Sequence, residues 1–245
     1  ALATFALSAP AWAQPVSVRP IEVPSEDLLA QFPRMTGFRL SPDGKHVLAI
    51  ESNGDQRTIL VWKADNLAAK PNVIGSRSMR IDSASFLKND MLAVTLSQPY
   101  DARLDTVTKT FISKLMVTDL EGKEWKEPLA SDGARSDIGK RLAALAVPAI
   151  RSRMLGDPDH VIVESDGLGL ERDLFRYNVR TGAAARVQRL AEDDGSVLVD
   201  GKGVVRAKTR GGVDSKGAYI ATEIRNVASG QWDEHFRSYV KDRDL

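Results

Sequence analysis

The sequence predicts an all-β chain: a partial β-propeller of about four blades with one or two short helices. Three observations predict this fold. Short apolar runs follow turn motifs along the body of the chain, a second strand-and-turn element recurs downstream of each run, and both elements occur four times in the 245 residues. A repeat of about 45 residues with several strands is typical of one propeller blade, a four-stranded sheet that stacks on its neighbours.

The first recurring element is an apolar run that follows a turn motif. Proline presets one turn dihedral, Asp and Asn bond to nearby backbone, and Gly tolerates positive φ. The four turn motifs are Ser41-Pro42-Asp43-Gly44, Lys88-Asn89-Asp90, Gly156-Asp157-Pro158-Asp159 and Asp200-Gly201-Lys202-Gly203. The runs that follow them start at Val47, Leu92, Val161 and Val204, which places successive runs 45, 69 and 43 residues apart.

The second recurring element is an extended run that ends in a turn at Gly or Asn, the residues most at ease in the left-handed region. Its four copies end at Asn66, Gly122, Gly182 and Gly230, which are 56, 60 and 48 residues apart. Both elements therefore predict four units. We expect blades at about residues 36–78, 79–130, 149–191 and 196–245.

The long second interval predicts an insertion between the second and third blades. Residues 137–145 carry Ile138, Leu142 and Leu145 at helical spacing, and Ser136 can cap them, so we expect a helical insert over 136–146. A second short helix is expected over 26–32, within an N-terminal arm of residues 14–35. An all-β sandwich or an irregular barrel would also fit short strands with regular turns, but the two repeats favour the propeller.

Composition excludes several function classes. Lys and Arg total 34 and Asp and Glu total 33, so the net charge of +1 indicates neither nucleic acid nor an anionic membrane as a partner. The chain has no cysteine, which excludes a disulfide framework, a thiolate metal site and a thiol nucleophile.

Residues 1–13 read ALATFALSAPAWA, an uncharged segment that ends in the small-x-small pattern of a signal-peptidase site. The segment is too short to span a bilayer as a helix. We expect a signal peptide clipped at its front, a mature protein that begins near Gln14 without a membrane span, and a periplasmic or secreted location. The alternative is a buried or terminal apolar helix.

Residues 32–50 (FPRMTGFRLSPDGKHVLAI) resemble the first blade of secreted bacterial peptidases of the prolyl oligopeptidase family (S9), which includes dipeptidyl aminopeptidases and acylaminoacyl-peptidases. Residues 85–92, 156–163 with 174–182, and 200–206 resemble later parts of the same N-terminal propeller. The resemblance covers residue 24 to about residue 232. The motif LSPDGK also occurs in other propellers, including TolB-like and WD40-like ones.

The resemblance implies about seven blades followed by an α/β-hydrolase domain with Ser, Asp and His. This chain has about four blades and no G-x-S-x-G motif, so we expect the N-terminal fragment of such an enzyme or a truncated relative. Its function would be noncatalytic: the propeller would gate the access of peptide substrates to the hydrolase domain, its expected partner. No cofactor is implied.

Two other functions remain open. The chain could be a periplasmic TolB-like module for protein–protein interaction. An open arc of four blades would then expose apolar surface and strand edges, which dimerisation could close. The third hypothesis is a stand-alone enzyme with an unrecognised site.

The histidines give no catalytic assignment. A Ser-His-Asp triad needs a histidine base, and the chain offers His46, His160 and His235. His46 and His160 occupy the same position of the repeat, at the end of a turn that leads into a strand, which favours a structural role. His235 lies in a charged segment without a nucleophile motif nearby. No catalytic residue is therefore predicted.

Metal and cofactor sites are not predicted either. Asp157, Asp159 and His160 form the closest group of metal-ligand types, but a turn explains them better, and Asp193-Asp194-Gly195 is interpreted as a loop. Nothing in the spacing singles out two further carboxylate pairs as ligands. Those pairs are Asp55 with Glu51, and Asp101 with Asp105. Gly211-Gly212 indicates a hairpin loop rather than a phosphate cradle. Three tryptophans are expected to pack between blades: Trp62, Trp125 and Trp232.

Overall fold

The computed structural model describes residues 33–54, 56–104, 106–129, 147–165 and 172–242. From Arg34 onward these residues belong to one compact unit. The predicted signal peptide, both predicted helices, Asp55 and Asp105 lie outside the described residues. Among the described residues the one helix is a 3₁₀ turn at Val240–Asp242, and no helix there is long and apolar enough to cross a membrane.

The predicted fold class is confirmed: the described chain forms four antiparallel sheets of four strands each, the blades of a partial propeller. In every blade the strands pair in chain order, as a meander. Blade 1 holds β1 (Met35–Leu40), β2 (His46–Asn53), β3 (Gln56–Lys63) and β4 (Asn72–Gly75). Blade 2 holds β5 (Arg80–Phe86), β6 (Met91–Leu104), β7 (Thr106–Asp119) and β8 (Trp125–Lys126). Blade 3 holds β9 (Ala149–Ser152), β10 (His160–Glu164), β11 (Asp173–Asn178) and β12 (Ala184–Arg189). Blade 4 holds β13 (Asp194–Val199), β14 (Val205–Asp214), β15 (Gly217–Arg225) and β16 (Trp232–Tyr239).

The turns that separate the third and fourth strands follow the second sequence repeat. Gly122, Gly182 and Gly230 adopt φ of 68°, 81° and 72°. These positive values are strained for a residue that has a side chain. The backbone at Gly122 also lies close to Ile74, and an added Cβ would stand 2.6 Å from the Cγ2 atom of Ile74. Asn66 closes its turn without positive φ, so there the expectation of a left-handed residue was wrong.

The core lies between the blades as three apolar clusters. Successive side chains of a strand point to opposite faces, so a blade with neighbours on both sides needs apolar residues at consecutive positions. The cluster between blades 1 and 2 contains Leu48, Ile50, Ile59, Val61, Ile74, Ile81, Ala84, Phe86, Leu92, Val94 and Leu96. The cluster between blades 2 and 3 contains Leu87, Met91, Ala93, Leu115, Val117, Val161, Val163, Tyr177 and Val179. The cluster between blades 3 and 4 contains Met154, Ile162, Leu174, Leu190, Val197, Val199 and Val205.

The middle blades show this alternation directly. On β6, Leu92 and Val94 enter the cluster shared with blade 1, whereas Ala93 enters the cluster shared with blade 3. On β10, Val163 packs towards blade 2 and Ile162 packs towards blade 4. The uninterrupted apolar runs of the sequence are therefore strands buried on both faces.

Two of the three tryptophans pack as predicted. Trp125 contacts the cluster between blades 1 and 2, and Trp232 contacts the cluster between blades 3 and 4. Trp62 belongs to none of the three clusters; it lines a cleft of about 420 Å³ beside His46.

We predict that Leu92→Ala lowers the free energy of unfolding by about 2–5 kcal/mol, because it opens a cavity in a cluster that seals two blades together. The control is Leu67→Ala, in the exposed β3–β4 connection, with an expected change within about 0.5 kcal/mol. Urea unfolding monitored by circular dichroism measures both. Equal effects of the two substitutions would contradict the assignment of Leu92 to the core.

Candidate functional site

Four of the sequence-predicted candidates lie at one end of the blades, where the first strand of each blade turns into the second: His46, Asp157, Asp159 and His160. We call this the turn end; it contains the β1–β2, β5–β6, β9–β10 and β13–β14 turns. The turns of neighbouring blades are in contact. Pro42, Asp90 and Pro158, from three successive blades, line one cleft of about 220 Å³. The Ser152 hydroxyl donates to the carbonyl of Asp200 at 2.8 Å and links blades 3 and 4.

Lys88 joins the turns of blades 2 and 3. Its side chain is almost fully buried, and Nζ lies 2.5–3.0 Å from four carbonyl oxygens of the β9–β10 turn. Those carbonyls belong to Arg153, Met154, Asp157 and His160. An ammonium donates three hydrogen bonds, so the four acceptors share them. Burial lowers the pKa of Lys88, and the carboxylates of Asp157 and Asp159 act in the opposite direction.

Asp157 organises the same turn from within. Its Oδ1 accepts hydrogen bonds from the backbone N–H groups of Asp159 and His160, and its Oδ2 accepts one from Arg176 at 2.5 Å. Burial alone would raise the pKa of Asp157, but these hydrogen bonds and one from the His160 ring hold that pKa well below its usual range. The acceptor capacity of the carboxylate is therefore taken up by its own turn and by Arg176 of β11.

The geometry agrees with the interpretation of Asp157, Asp159 and His160 as parts of a turn. The Asp159 carboxylate accepts a hydrogen bond from Arg180 Nε at 2.7 Å. Arg180 also makes a bidentate contact with Asp90 at 2.9 and 3.1 Å, so it bridges blades 2 and 3 at the surface. These hydrogen bonds raise the pKa of Arg180 above its usual value. Within the described residues, no group of three or more His, Asp or Glu could hold a metal ion.

The three histidines lie apart and have different surroundings. His160 Nδ1 lies 3.0 Å from Asp157 Oδ1, and its Nε2 lies 3.4 Å from the Asn178 amide. The His46 backbone N–H donates to the Ser41 hydroxyl, while its Nδ1 is buried without a partner. His235 is exposed on β16. Among the described residues, no serine is hydrogen-bonded to any of the three histidine side chains.

The loop interpretation of Gly211-Gly212 was wrong, and that of Asp193-Asp194-Gly195 was right only for Asp193, which lies in the turn before β13. Gly211 and Gly212 lie inside β14 and pair with β15, and the hairpin turns at Asp214–Gly217 instead. Gly212 is needed for packing, because an added Cβ would stand 2.5 Å from the Tyr219 hydroxyl oxygen. Asp194 begins β13 and is buried, with its carboxylate 2.6 Å from Lys208 Nζ.

The other carboxylate candidates are not brought together. Glu51 pairs with Arg34 at 2.7 Å, and Asp101 lies within β6 rather than in a loop. Their proposed partners, Asp55 and Asp105, lie outside the described residues.

Sequence reasoning missed an ionic cluster at the opposite end of blades 3 and 4. Glu164 is buried at the end of β10 between Arg151 Nε at 2.6 Å and Arg172 Nε at 2.7 Å. Arg172 also donates to the carbonyls of Asp194 and Gly195, at 2.6 and 2.7 Å, and so ties blade 3 to blade 4. The sequence feature that could have indicated this cluster is a single acidic residue, Glu164, directly after the apolar run Val161–Val163.

Comparison with known proteins gives distant matches to solved structures. The chain is similar to TolB from Acinetobacter baumannii, with 13% identity over 82% of this chain and 43% of that chain, and a TM-score of 0.41. It is similar to acylaminoacyl peptidase from Pyrococcus horikoshii, with 13% identity, 83% and 32% coverage and a TM-score of 0.45. It is also similar to a puromycin-hydrolyzing peptidase from Mycobacterium tuberculosis, with 11% identity, 82% and 37% coverage and a TM-score of 0.43.

The chain thus spans less than half the length of each of these three structures. No family model matches the sequence, and no curated protein does.

We predict that Lys88→Met destabilises the protein by about 2–3 kcal/mol, because buried carbonyls lose their shared donor. The matched control is Lys45→Met, in the corresponding turn of blade 1, where the side chain is exposed; its effect should stay within about 0.5 kcal/mol. Urea unfolding at neutral pH compares the two. If Lys88→Met costs no more than Lys45→Met, the carbonyl contacts do not stabilise the fold.

We predict that Asp157→Asn destabilises the protein at neutral pH and flattens its loss of stability in acid. The folded pKa of Asp157 is below the unfolded value of 3.8, so the folded state binds fewer protons. The stabilisation is complete above about pH 5 and is lost as the pH falls through the unfolded value towards the folded one. The urea midpoints of wild type and variant should therefore differ by a constant amount from pH 7 to about pH 5 and begin to approach each other between pH 5 and pH 3. The exposed Asp65→Asn control should follow the wild-type curve throughout.

Proposed function

We propose that this chain is the noncatalytic N-terminal propeller segment of an exported serine peptidase of the prolyl oligopeptidase type. In that protein the propeller gates the access of peptides to a separate hydrolase domain. The serine, aspartate and histidine of the acyl-transfer chemistry lie on that domain, which is also the main partner of the segment.

One observation carries this proposal: the charged turn-end residues Lys88, Asp157 and Arg180 are engaged in hydrogen bonds within blade 3 and between blades 2 and 3. Lys88 is surrounded by carbonyls, Asp157 is bound by its own turn and by Arg176, and Arg180 bridges two aspartates. A general base or a nucleophile needs a free lone pair directed at substrate. Residues committed in this way act as a scaffold, which is what a gating propeller requires.

The sequence supports the remaining parts of the proposal. The order and spacing of the motifs around Ser41-Pro42-Asp43-Gly44 and its three counterparts resemble the propeller of S9 peptidases. The apolar segment that ends at Ala13 supports export, with the mature chain starting near Gln14.

A second candidate function is a propeller module that binds a protein partner without a hydrolase domain, as the TolB-like interpretation expects. The exposed apolar side chains of blade 4, among them Leu198 and Phe236, favour this alternative, because contiguous exposed apolar surface marks interaction sites. The two candidate functions predict native products that differ in chain length and in reactivity towards a serine-directed probe.

We predict that the native product, isolated from the host's exported fraction, has a mass far above 26.8 kDa and reacts with a fluorophosphonate probe. Intact-mass spectrometry with peptide mapping measures the first property, and probe labelling measures the second. The 245-residue chain alone should not react with the probe. A native product near 25 kDa that is silent towards the probe would reject the peptidase and support the binding module. Labelling of the 245-residue chain itself would reject both.

A further inference from the structure

A cleft of about 350 Å³ lies between the first strands of blades 2 and 3. Blade 2 contributes the end of β5 and the turn after it, and blade 3 contributes the end of β9 and the turn after it. Two of the lining residues are arginines, two are serines, two are aliphatic, and none is acidic. They are Ser85, Leu87, Ile150, Arg151, Ser152 and Arg153, and we call this site the arginine cleft. Its lining offers hydrogen-bond donors to an anion.

The two guanidinium groups of the arginine cleft carry positive charge that the described residues balance only in part. Arg153 is exposed, and no described carboxylate pairs with it. Arg151 binds the buried Glu164 through Nε at 2.6 Å, but Glu164 also binds Arg172 at 2.7 Å. The terminal nitrogens of Arg151 have no hydrogen-bond partner among the residues that the structure describes. Donors of both arginines are therefore available to a ligand.

The position of Arg151 on its strand is unusual. β9 pairs with β10 on both sides of Arg151, which itself has no partner, so Arg151 is the extra residue of a β-bulge. The first strands of the other blades are also irregular, but only in β9 is the extra residue basic. Bulges are over-represented next to functional sites, because they re-aim a side chain. The bulge in β9 therefore directs a guanidinium to the arginine cleft.

The backbone at Arg153 is held in place by its surroundings. The carbonyl oxygen of Arg153 lies 2.5 Å from Lys88 Nζ. The next residue, Met154, is buried and has a φ of 46°, which is unfavourable for a residue with a Cβ. Lys88 also binds the Met154 carbonyl at 3.0 Å, and the Ser152 hydroxyl accepts from the Met154 N–H at 3.2 Å. Strained backbone of this kind persists where neighbouring contacts fix it, and it is concentrated at functional sites.

The lining determines the chemistry of the ligand. A guanidinium presents a planar fork of donors that matches the oxygens of a carboxylate or a phosphate. The Ser85 hydroxyl has no hydrogen-bond partner among the described residues and can add a further donor. Leu87 and Ile150 supply an apolar wall beside these polar groups. A volume of about 350 Å³ lies within the range of small-molecule sites. The cleft therefore suits a small organic anion with an apolar body.

We propose that the arginine cleft binds a small organic anion, whose carboxylate or phosphate group is held by Arg151 and Arg153 and whose apolar part contacts Leu87 and Ile150. In a propeller that gates peptides, this anion is the free C-terminal carboxylate of a peptide, and that assignment rests on the proposed function. The anion site itself rests on the bulge, the strained turn and the available guanidinium donors.

The test is isothermal titration calorimetry on the 245-residue chain at about 50 mM salt, where charge interactions are weakly screened. The probes are N-acetyl-Leu-Leu with a free carboxylate, the same dipeptide as its C-terminal amide, and isobutyl phosphate. We expect the free acid to bind at least about tenfold more tightly than the amide, because the amide lacks the charge that the guanidinium groups recognise. Tighter binding of isobutyl phosphate than of the free acid would instead assign a phosphate-bearing ligand and reject the peptide.

Substitutions at two exposed arginines locate the binding. Arg153→Gln should weaken the binding of the tighter anion at least about tenfold, and Arg153→Lys should restore part of it, because lysine keeps the charge but loses the fork. The matched control is Arg77→Gln, in the β4–β5 connection outside the cleft, which should leave the affinity unchanged. Urea unfolding should give the same midpoint for both glutamine variants within about 0.5 kcal/mol of stability.

The anion site is overturned if neither anion binds at concentrations up to about 10 mM, or if the amide binds as tightly as both anions. It is also overturned if Arg153→Gln and Arg77→Gln change the affinity equally. The proposed function fails separately. Anion binding by the 245-residue chain, together with a native product that does not react with the fluorophosphonate probe, would reject the peptidase and leave the anion site standing. A reactive native product whose propeller binds neither anion would reject the anion site alone.

Discussion

The fold depends on one constraint: an inner blade must bury both faces of its sheet. A four-stranded sheet has no interior of its own, so each blade is stabilised by the side chains of its two neighbours. The consequence for sequence is a strand that is apolar at every position, such as Val161–Val163, rather than at alternate positions. The three clusters between blades follow from this pattern, because odd and even positions of one strand enter different clusters.

The same constraint decides where charge is placed. In blades 2 and 3, where both faces are apolar, the charged residues that link one blade to the next lie at strand ends and turns, where adjacent blades also come close. Lys88 and Arg180 link blades 2 and 3 at the turn end, and Arg172 links blades 3 and 4 at the other end. Each uses a long side chain to reach carbonyl or carboxylate oxygens of the neighbouring blade. Hydrogen bonds with a charged partner stabilise by about 1.5–3 kcal/mol each, which is substantial for a fold held together mainly by non-directional packing.

The repeat made the fold predictable, whereas the contacts between repeats were not predictable. Turn motifs such as Ser41-Pro42-Asp43-Gly44 act locally, through hydrogen bonds two to five residues apart, so the sequence alone indicates them. The Lys88 contacts join residues 65–72 positions apart, and nothing local to Lys88 distinguishes it from an exposed turn lysine. Gly211-Gly212 was misinterpreted as a loop for a related reason. The residue that leaves no room for a side chain at position 212 is Tyr219, which lies on the neighbouring strand of the hairpin.

Strands that are apolar on both faces raise a question of register that packing alone does not answer. In a half-buried strand, a slip by one residue exposes the whole apolar set, so burial fixes the register. In β10 a slip by one residue exchanges Val161 and Ile162 between two equally apolar interfaces, so it costs little hydrophobic burial.

The polar contacts at the two ends of β10 determine its register instead. At one end, the carbonyl of His160 accepts from Lys88; at the other, Glu164 lies between Arg151 and Arg172. A one-residue slip would break both sets together and leave a carboxylate buried without a partner, which is costly in an apolar interface. The ionic groups of this fold therefore select one pairing among several that the hydrophobic effect alone would accept.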